Sequence, residues 1–213
     1  MGIAERKSRE KDQRRNAILS AAKSLIAKRG VEGMSVNELA EATELNKATL
    51  YLYFNDKDDL VDAVAYEGLV LLEKECQKAD RQTLSGFERV LDLARITFAF
   101  YRRYPVYFRA LNHQERRREN ERLETPFAAK GNETSSRIFG RIAEGVRQGI
   151  EEGSIRKGID VQVVLVLLYA QVYGVMHTIY AKEDIYKDVL NLDSSIIEES
   201  ALESIEYYLK THS

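Results

Sequence analysis

Nine consecutive residues, Asn46 to Phe54, combine side chains suited to phosphates and base edges. Wound as a helix from Lys47 at about 100° per residue, they place Leu50 and Phe54 on one side and Ala48, Thr49 and Leu52 on the other. Tyr51 and Tyr53 flank that second face. A surface helix ordinarily turns Lys, Glu and Gln outward, so a methyl, a hydroxyl and an isobutyl group between two phenols suit a different partner. Phenols and a Lys ammonium donate to phosphate oxygens, Thr bonds phosphate or base, Leu meets a thymine methyl, and Ala lets the backbone approach. The chemistry implied is recognition of a duplex through its major groove. The competing use of each tyrosine is in a second core face.

The elements that must hold this stretch are legible just ahead of it. Ser35-Val36-Asn37-Glu38 fits a capping box, with Met34 and Leu39 at the staple positions. Asn46 is a second N-cap, with Leu45 and Leu50 placed likewise, so two short helices join through Thr43-Glu44-Leu45. The pattern predicts a helix-turn-helix whose second helix, Asn46 to Phe54, does the reading. Ser35, Asn37, Asn46, Lys47, Ala48, Thr49, Tyr51, Leu52, Tyr53 and Lys57 are the candidate DNA contacts.

Met34 to Val64 resembles the DNA-binding region of the tetracycline-repressor (TetR) family of one-component bacterial regulators. Its reading helix typically runs Lys, Gly or Ala, Thr or Ser, Leu, Tyr, any residue, Tyr or His, Phe, and Lys47 to Phe54 match throughout. The resemblance implies a phosphate anchor at Lys57. Where that turn usually carries Gly this chain has Glu44, which predicts a positive φ and about 1 kcal/mol of strain.

Charge is unevenly spread. Residues 1–29 hold nine Lys or Arg against three acids, a net of +6, so the overall −2 leaves −8 on residues 30–213. A basic front on an acidic body docks a polyanion by one end only. The charged start with no apolar run after it predicts a cytoplasmic chain without a signal peptide. Cys76, the one cysteine, permits no internal disulfide and reads as an ordinary helix residue. Three scattered histidines give no metal-ligand spacing, and no grouping of nucleophile, base and orienter is visible. We therefore expect no metal, no cofactor and no catalytic residues.

The remaining periodicity is helical. Charged residues up to about Gln13 predict a frayed arm; Ile18, Ala21, Ala22, Leu25 and Ile26 then form a stripe ended by Gly30. The core behind the two DNA helices is expected to comprise Phe54, Leu50, Leu39, Val36 and Leu25. A fourth helix opens at Asp56, with Asp58 and Asp59 at the positive end of its dipole, and extends past Leu72 as a lever joining Lys57 to the acidic body. After a break at residues 81–86, Phe87 to Tyr101 form another stripe, and Pro105 begins the next helix. His113 to Glu124 is charged throughout with balanced signs, which predicts a solvated helix end or linker. Thr125-Pro126 closes it, and a helix striped by Ile138, Ile142, Val146 and Ile150 runs to Gly153.

Val163 to Ala181 is nineteen residues without formal charge, long enough to cross a membrane. Gln171, His177 and Thr178 within it, and Asp160 capping its start, instead predict a helix buried on all sides of a soluble fold. The sequence thus predicts an all-α chain: residues 1–57 form an N-terminal arm and three-helix DNA-binding domain, and residues 58–213 a larger helical bundle. By the resemblance, that bundle binds an effector and dimerises. Phe98, Tyr101, Tyr104, Tyr107, Phe108, Tyr173 and His177 are its candidate effector pocket, suited to a small apolar or aromatic ligand, although core packing explains many of them equally well. Ala170, Gly174 and Thr178, with Ile197, Ala201, Ile205 and Tyr208 on the last helix, are the candidate dimer interface. The expected partners are an operator, a second copy and an unidentified effector. The expected function is a palindrome-binding repressor released by that effector; the alternative is a helix-turn-helix or architectural DNA-binding protein that answers to none.

Overall fold

The computed structural model describes residues 3–81, 83–121 and 125–210, and helices are the only regular elements among them. In order they are α1 (Ile3–Arg29), α2 (Val36–Ala42), α3 (Lys47–Tyr51), α4 (Lys57–Ala79), α5 (Gly86–Arg103), α6 (Pro105–Glu121), α7 (Pro126–Glu152), α8 (Val161–Asp188) and α9 (Ser194–Leu209). They form two compact units. One gathers Met1–Val70 and Tyr104–Glu133, the other Leu71–Arg103 and Thr134–Ser213.

In the first unit, Ile18, Ala22 and Ile26 of α1 are buried with Met34, Leu39, Leu50 and Phe54. Val36 and Leu25, expected beside them, are only half-buried. α1 also begins far earlier than the frayed arm expected up to Gln13. Those residues are mostly good helix formers, and Arg6 pairs with Glu10 one turn on at 3.0 Å, so the local sequence sustains the helix. Gly30 closes it at φ 73°.

α6 belongs to this unit and grips α1 and α4. Arg109 Nη1 donates to the Ala27 carbonyl at 2.8 Å and, at 3.2 Å, to the Ile26 carbonyl that also accepts from the Gly30 amide, so it reinforces the end of α1. Tyr107 Oη and Lys23 Nζ both donate to Glu67 Oε1, at 2.8 and 2.5 Å. Burial, then the bond to Glu67, pushes the Tyr107 phenol up. Its ring lies so close to α4 that a Cβ on Gly68 would stand 2.6 Å from the Tyr107 Cβ.

The second unit packs Val90, Leu91, Ala94, Val146, Ile155, Val164, Leu168, Ile205 and Leu209 into one core. The start of α5 seats directly on α7, where a Cβ on Gly86 would lie 2.2 Å from the Gly145 oxygen and the Gly149 nitrogen. Cys76 is fully buried, and that burial lifts its thiol to about 12.

α8 departs from expectation. Val164, Leu168, Met176 and Ile179 are buried and Gln171 donates to the Ala201 carbonyl at 3.0 Å, but Val163, Val166, Leu167 and Tyr169 are exposed. The helix is therefore not enclosed on all sides. Val163, Val166 and Leu167 leave one apolar face exposed among the described residues, and a Cβ on Gly174 would meet nothing within 4 Å.

Candidate nucleic-acid interface

α2 and α3 are short, and caps rather than length hold them. Ser35 Oγ accepts from the Glu38 amide at 3.2 Å while Glu38 Oε2 accepts from the Ser35 amide at 3.3 Å, completing the expected capping box. Ser35 Oγ also donates to Glu38 Oε2 at 3.0 Å, and this bond, then that from the Ser35 amide and the pairing with Arg29, hold Glu38 below the usual carboxylate range. The turn closes with Leu45 N to Ala40 O at 2.9 Å, and Glu44 takes φ 55°, the left-handed conformation that the missing glycine predicts.

Asn46 then caps α3, its Oδ1 accepting from the Thr49 amide at 2.8 Å and from Thr49 Oγ1 at 2.9 Å. This bond decides what Thr49 can do. With its proton committed to Asn46, the hydroxyl offers a groove an acceptor rather than a donor. α3 ends at Tyr51, sooner than Phe54, but Phe54 N still bonds Leu50 O at 3.1 Å, so the turn carries on and both apolar side chains reach the core.

The outward face is as the residue types require. Ser35, Asn37, Asn46, Lys47 and Ala48 are exposed, and Thr49, Tyr53 and Lys57 are half-buried. Tyr51 is 49% exposed and Leu52 77%, so neither the phenol nor the isobutyl group serves the core. Lys57 Nζ lies 3.5 Å from the Glu32 carbonyl. Tyr51→Phe, Tyr53→Phe and Lys57→Ala are each expected to weaken duplex binding roughly fivefold, about 1 kcal/mol, without moving the melting temperature. Gel-shift midpoints equal to wild type for all three would contradict this face.

The first turn of α4 is tied down by its own carboxylates and by the charged run from His113, which was expected to be solvated. Asp56 Oδ1 accepts from the Asp59 amide at 2.7 Å and Asp59 Oδ2 from the Asn55 amide at 2.9 Å. His113 sets Nδ1 3.2 Å from Glu32 Oε1 and Nε2 2.9 Å from Asp58 Oδ1. Asp62, wholly buried, accepts from Gln114 Nε2 at 3.1 Å, Arg117 Nη2 at 2.5 Å and Thr125 Oγ1 at 2.7 Å. The front of the run from His113 is therefore structural. Arg122 and Glu124, and the side chains of Arg118, Glu119 and Glu121, lie outside the described residues. The signal for these partners was Asp62 itself, a carboxylate inside the apolar stretch Leu60–Val64 that cannot be buried without a cation. At Asp58 burial pushes the carboxyl up, but the bond to His113 and the charges of Arg117 and His113 outweigh it and the net movement is down.

The candidate effector residues are divided between the units. Phe98, Tyr101, Tyr173 and His177 belong to the second, where Phe98 and Tyr101 are buried and the Tyr101 carbonyl accepts from Tyr180 Oη at 2.6 Å. Tyr173 stacks on Tyr169 at 5.5 Å between centroids and on His177 at 6.2 Å. Tyr104, Tyr107 and Phe108 belong to the first unit, with Tyr104 against Tyr107 at 6.0 Å and Phe108 fully buried. Of the candidate dimer residues, Ala170 is exposed and Gly174 and Thr178 half-buried, but Ala201 and Ile205 are buried in this chain's own core. Ile205 packs in the core with Val90, Leu91, Val164 and Leu168, the Ala201 carbonyl accepts from Gln171, and Ile197 and Tyr208 are half-buried, with Arg156 over the Tyr208 ring. The open side of α9 carries Ile196 and Tyr207 instead.

Residues 18–64 match the sequence model of the family described as bacterial regulatory proteins, tetR family. The chain is 26% identical over 194 residues to the nucleoid occlusion factor SlmA of Vibrio campbellii, covering 86% of this chain and 92% of that protein. The transcriptional regulator FadR from Bacillus subtilis, solved with stearoyl-CoA, is similar in structure with a TM-score of 0.70 at 19% identity over 91% of this chain and 98% of that one. AibR, solved with isovaleryl coenzyme A and operator DNA, gives 0.66 at 23% identity over 90% and 97%. The two structures show the shared fold, and the helix-turn-helix within residues 18–64 is similar to that of the tetR family of bacterial regulatory proteins.

Proposed function

We propose that the chain is a cytoplasmic, ligand-responsive repressor that covers a palindromic operator as a homodimer and lets go when residues 58–213 bind a small apolar effector. The observation that carries the DNA half is the exposed face of Tyr51 and Leu52 beside the capped start of α3. One such helix reaches only a few base pairs, so two half-sites in successive major grooves, about 34–36 Å apart, have to be read together. The exposed apolar residues Val163, Val166 and Leu167 of α8 support a second copy as their cover. α4 contributes residues to both units, which suits it to carry an effector's influence to Lys57. For the effector, the similar structures that hold stearoyl-CoA and isovaleryl coenzyme A favour an acyl thioester.

The test is a melting-temperature screen of the full chain against coenzyme A thioesters of graded acyl length and simple aromatic acids, followed by gel shifts on the DNA beside the gene. A true effector at a hundred times its Kd stabilises by about 2.7 kcal/mol, a rise of roughly 5–10 °C, and weakens the gel shift. Retained DNA binding with a flat screen would favour the second reading, a helix-turn-helix factor without an effector, to which the likeness to a nucleoid occlusion factor lends support.

A further inference from the structure

α1 extends well beyond the core it packs. Its first buried residue is Ile18, so the helix from Glu5 to there, about 20 Å at 1.5 Å per residue, stands in solvent except for half-buried Arg15. Arg15 marks the exit. Its guanidinium carbon lies 4.7 Å from the Phe127 ring centroid and 5.9 Å from that of Phe54, and Ile18 shares a crevice with Tyr51, Phe54 and Lys57. The overhang therefore leaves the unit beside the end of the reading helix.

The face it presents is defined by register. Ile18, Ala22 and Ile26 face the core, and counting back at the same three- and four-residue steps gives Arg15, Lys11 and Lys7. Arg14 lies one step from Lys11, while Glu5 and Asp12 turn to the far side. Glu10 is already paired with Arg6. Lys7, Lys11 and Arg14 are exposed and have no acidic partner among the described residues. The core stripe thus continues past the last apolar residue as a row of cations.

We propose that this row is a second DNA contact, in which Lys7, Lys11 and Arg14 hold phosphates of one strand next to the half-site read by α3. The inference rests on the DNA-binding reading above. Two features select duplex DNA as the occupant: the charge is that of a phosphate binder, and the helix carrying the row leaves the core at Ile18, which lines one crevice with Tyr51 and Lys57.

Phosphate contacts are sequence-independent, so the test needs no operator. A labelled mixed-sequence duplex of about 30 bp is titrated with the full chain, by anisotropy, across a salt series. Each phosphate contact contributes about 0.9 to the slope of log K against log salt, so Lys7→Gln/Lys11→Gln/Arg14→Gln should flatten it by about 2.7 per protomer. Lys74→Gln/Lys78→Gln/Lys157→Gln, with the same loss of charge elsewhere, should leave the slope in place, and Lys7→Arg/Lys11→Arg/Arg14→Lys should restore it. Equal slopes for the two Gln triples would overturn the proposal, as would a triple that changes self-association and not DNA binding, which would make the acidic surface of a second copy the occupant. Lys57→Ala separates the levels: if it weakens binding and the overhang triple does not, only the overhang is refuted. If the wild-type chain fails to bind the duplex at all, the reading of α3 fails and takes this inference with it.

Discussion

Asp62→Ala is expected to lower the melting temperature by roughly 10–15 °C. The carboxylate is wholly buried and accepts from Gln114, Arg117 and Thr125, while the Arg117 side chain is 9% exposed. Removing it leaves a guanidinium in the interior with Asp58, 3.5 Å away, as its remaining acid among the described residues. Breaking a buried pair from one side costs about 3–5 kcal/mol, against a total of about 5–15 for an ordinary fold. Each kcal/mol is worth about 2–4 °C in a chain of this size. Asp62→Leu with Arg117→Met should recover much of the loss, because replacing both charges by apolar groups leaves neither unpaired. A single variant melting within 2 °C of wild type would show that the pair contributes little. Acid should act in the same direction through Asp58. Its carboxyl is held down in the fold, so the stability it adds is present above the ordinary carboxylate range and is lost as pH falls through the lowered value.

What the sequence made legible was local. Capping at Ser35 and Asn46, the positive φ of Glu44 and the starts at Pro105 and Pro126 depend on side chains within four residues, so spacing alone reveals them. Partners tens of residues apart leave no such trace. His113 meets Glu32 and Asp58, and Gln114 meets Asp62, contacts that a balanced run of charges conceals because a solvated helix has the same composition. The stripe on α9 was visible as a period but not as a destination: Ala201 and Ile205 fit a dimer seam as well as the intrachain core that claims them. α1 erred in the opposite sense. Charge without an apolar stripe suggested fraying, but helix propensity and an i,i+4 pair need no core, and the helix persists to Ile3.

Val166→Glu is expected to convert the proposed dimer to a monomer and weaken operator binding on the order of a thousandfold. Val163, Val166, Leu167, Ala170 and Gly174 fall on one face of α8 at alternating three- and four-residue steps, opposite buried Val164, Leu168, Met176 and Ile179. Ile196 and Tyr207 open the same kind of stripe on α9, with Tyr207 71% exposed. Two such helices from each of two copies make a four-helix seam. A two-fold axis repeats every substitution, so one glutamate per chain introduces two carboxylates that dimerisation would have to bury, at several kcal/mol each. Because Val166 is 66% exposed in the single chain, the variant should keep its helical spectrum, which separates loss of pairing from loss of folding. Sedimentation equilibrium is the decisive measurement, with a gel shift beside it. A reading helix alone on one half-site loses the contacts of its twin, so the duplex should be released at protein concentrations that saturate the wild type. A Val166→Glu chain that still sediments as two copies would place the seam elsewhere, and one that is single yet binds DNA undiminished would mean that pairing does not set the operator's half-site spacing.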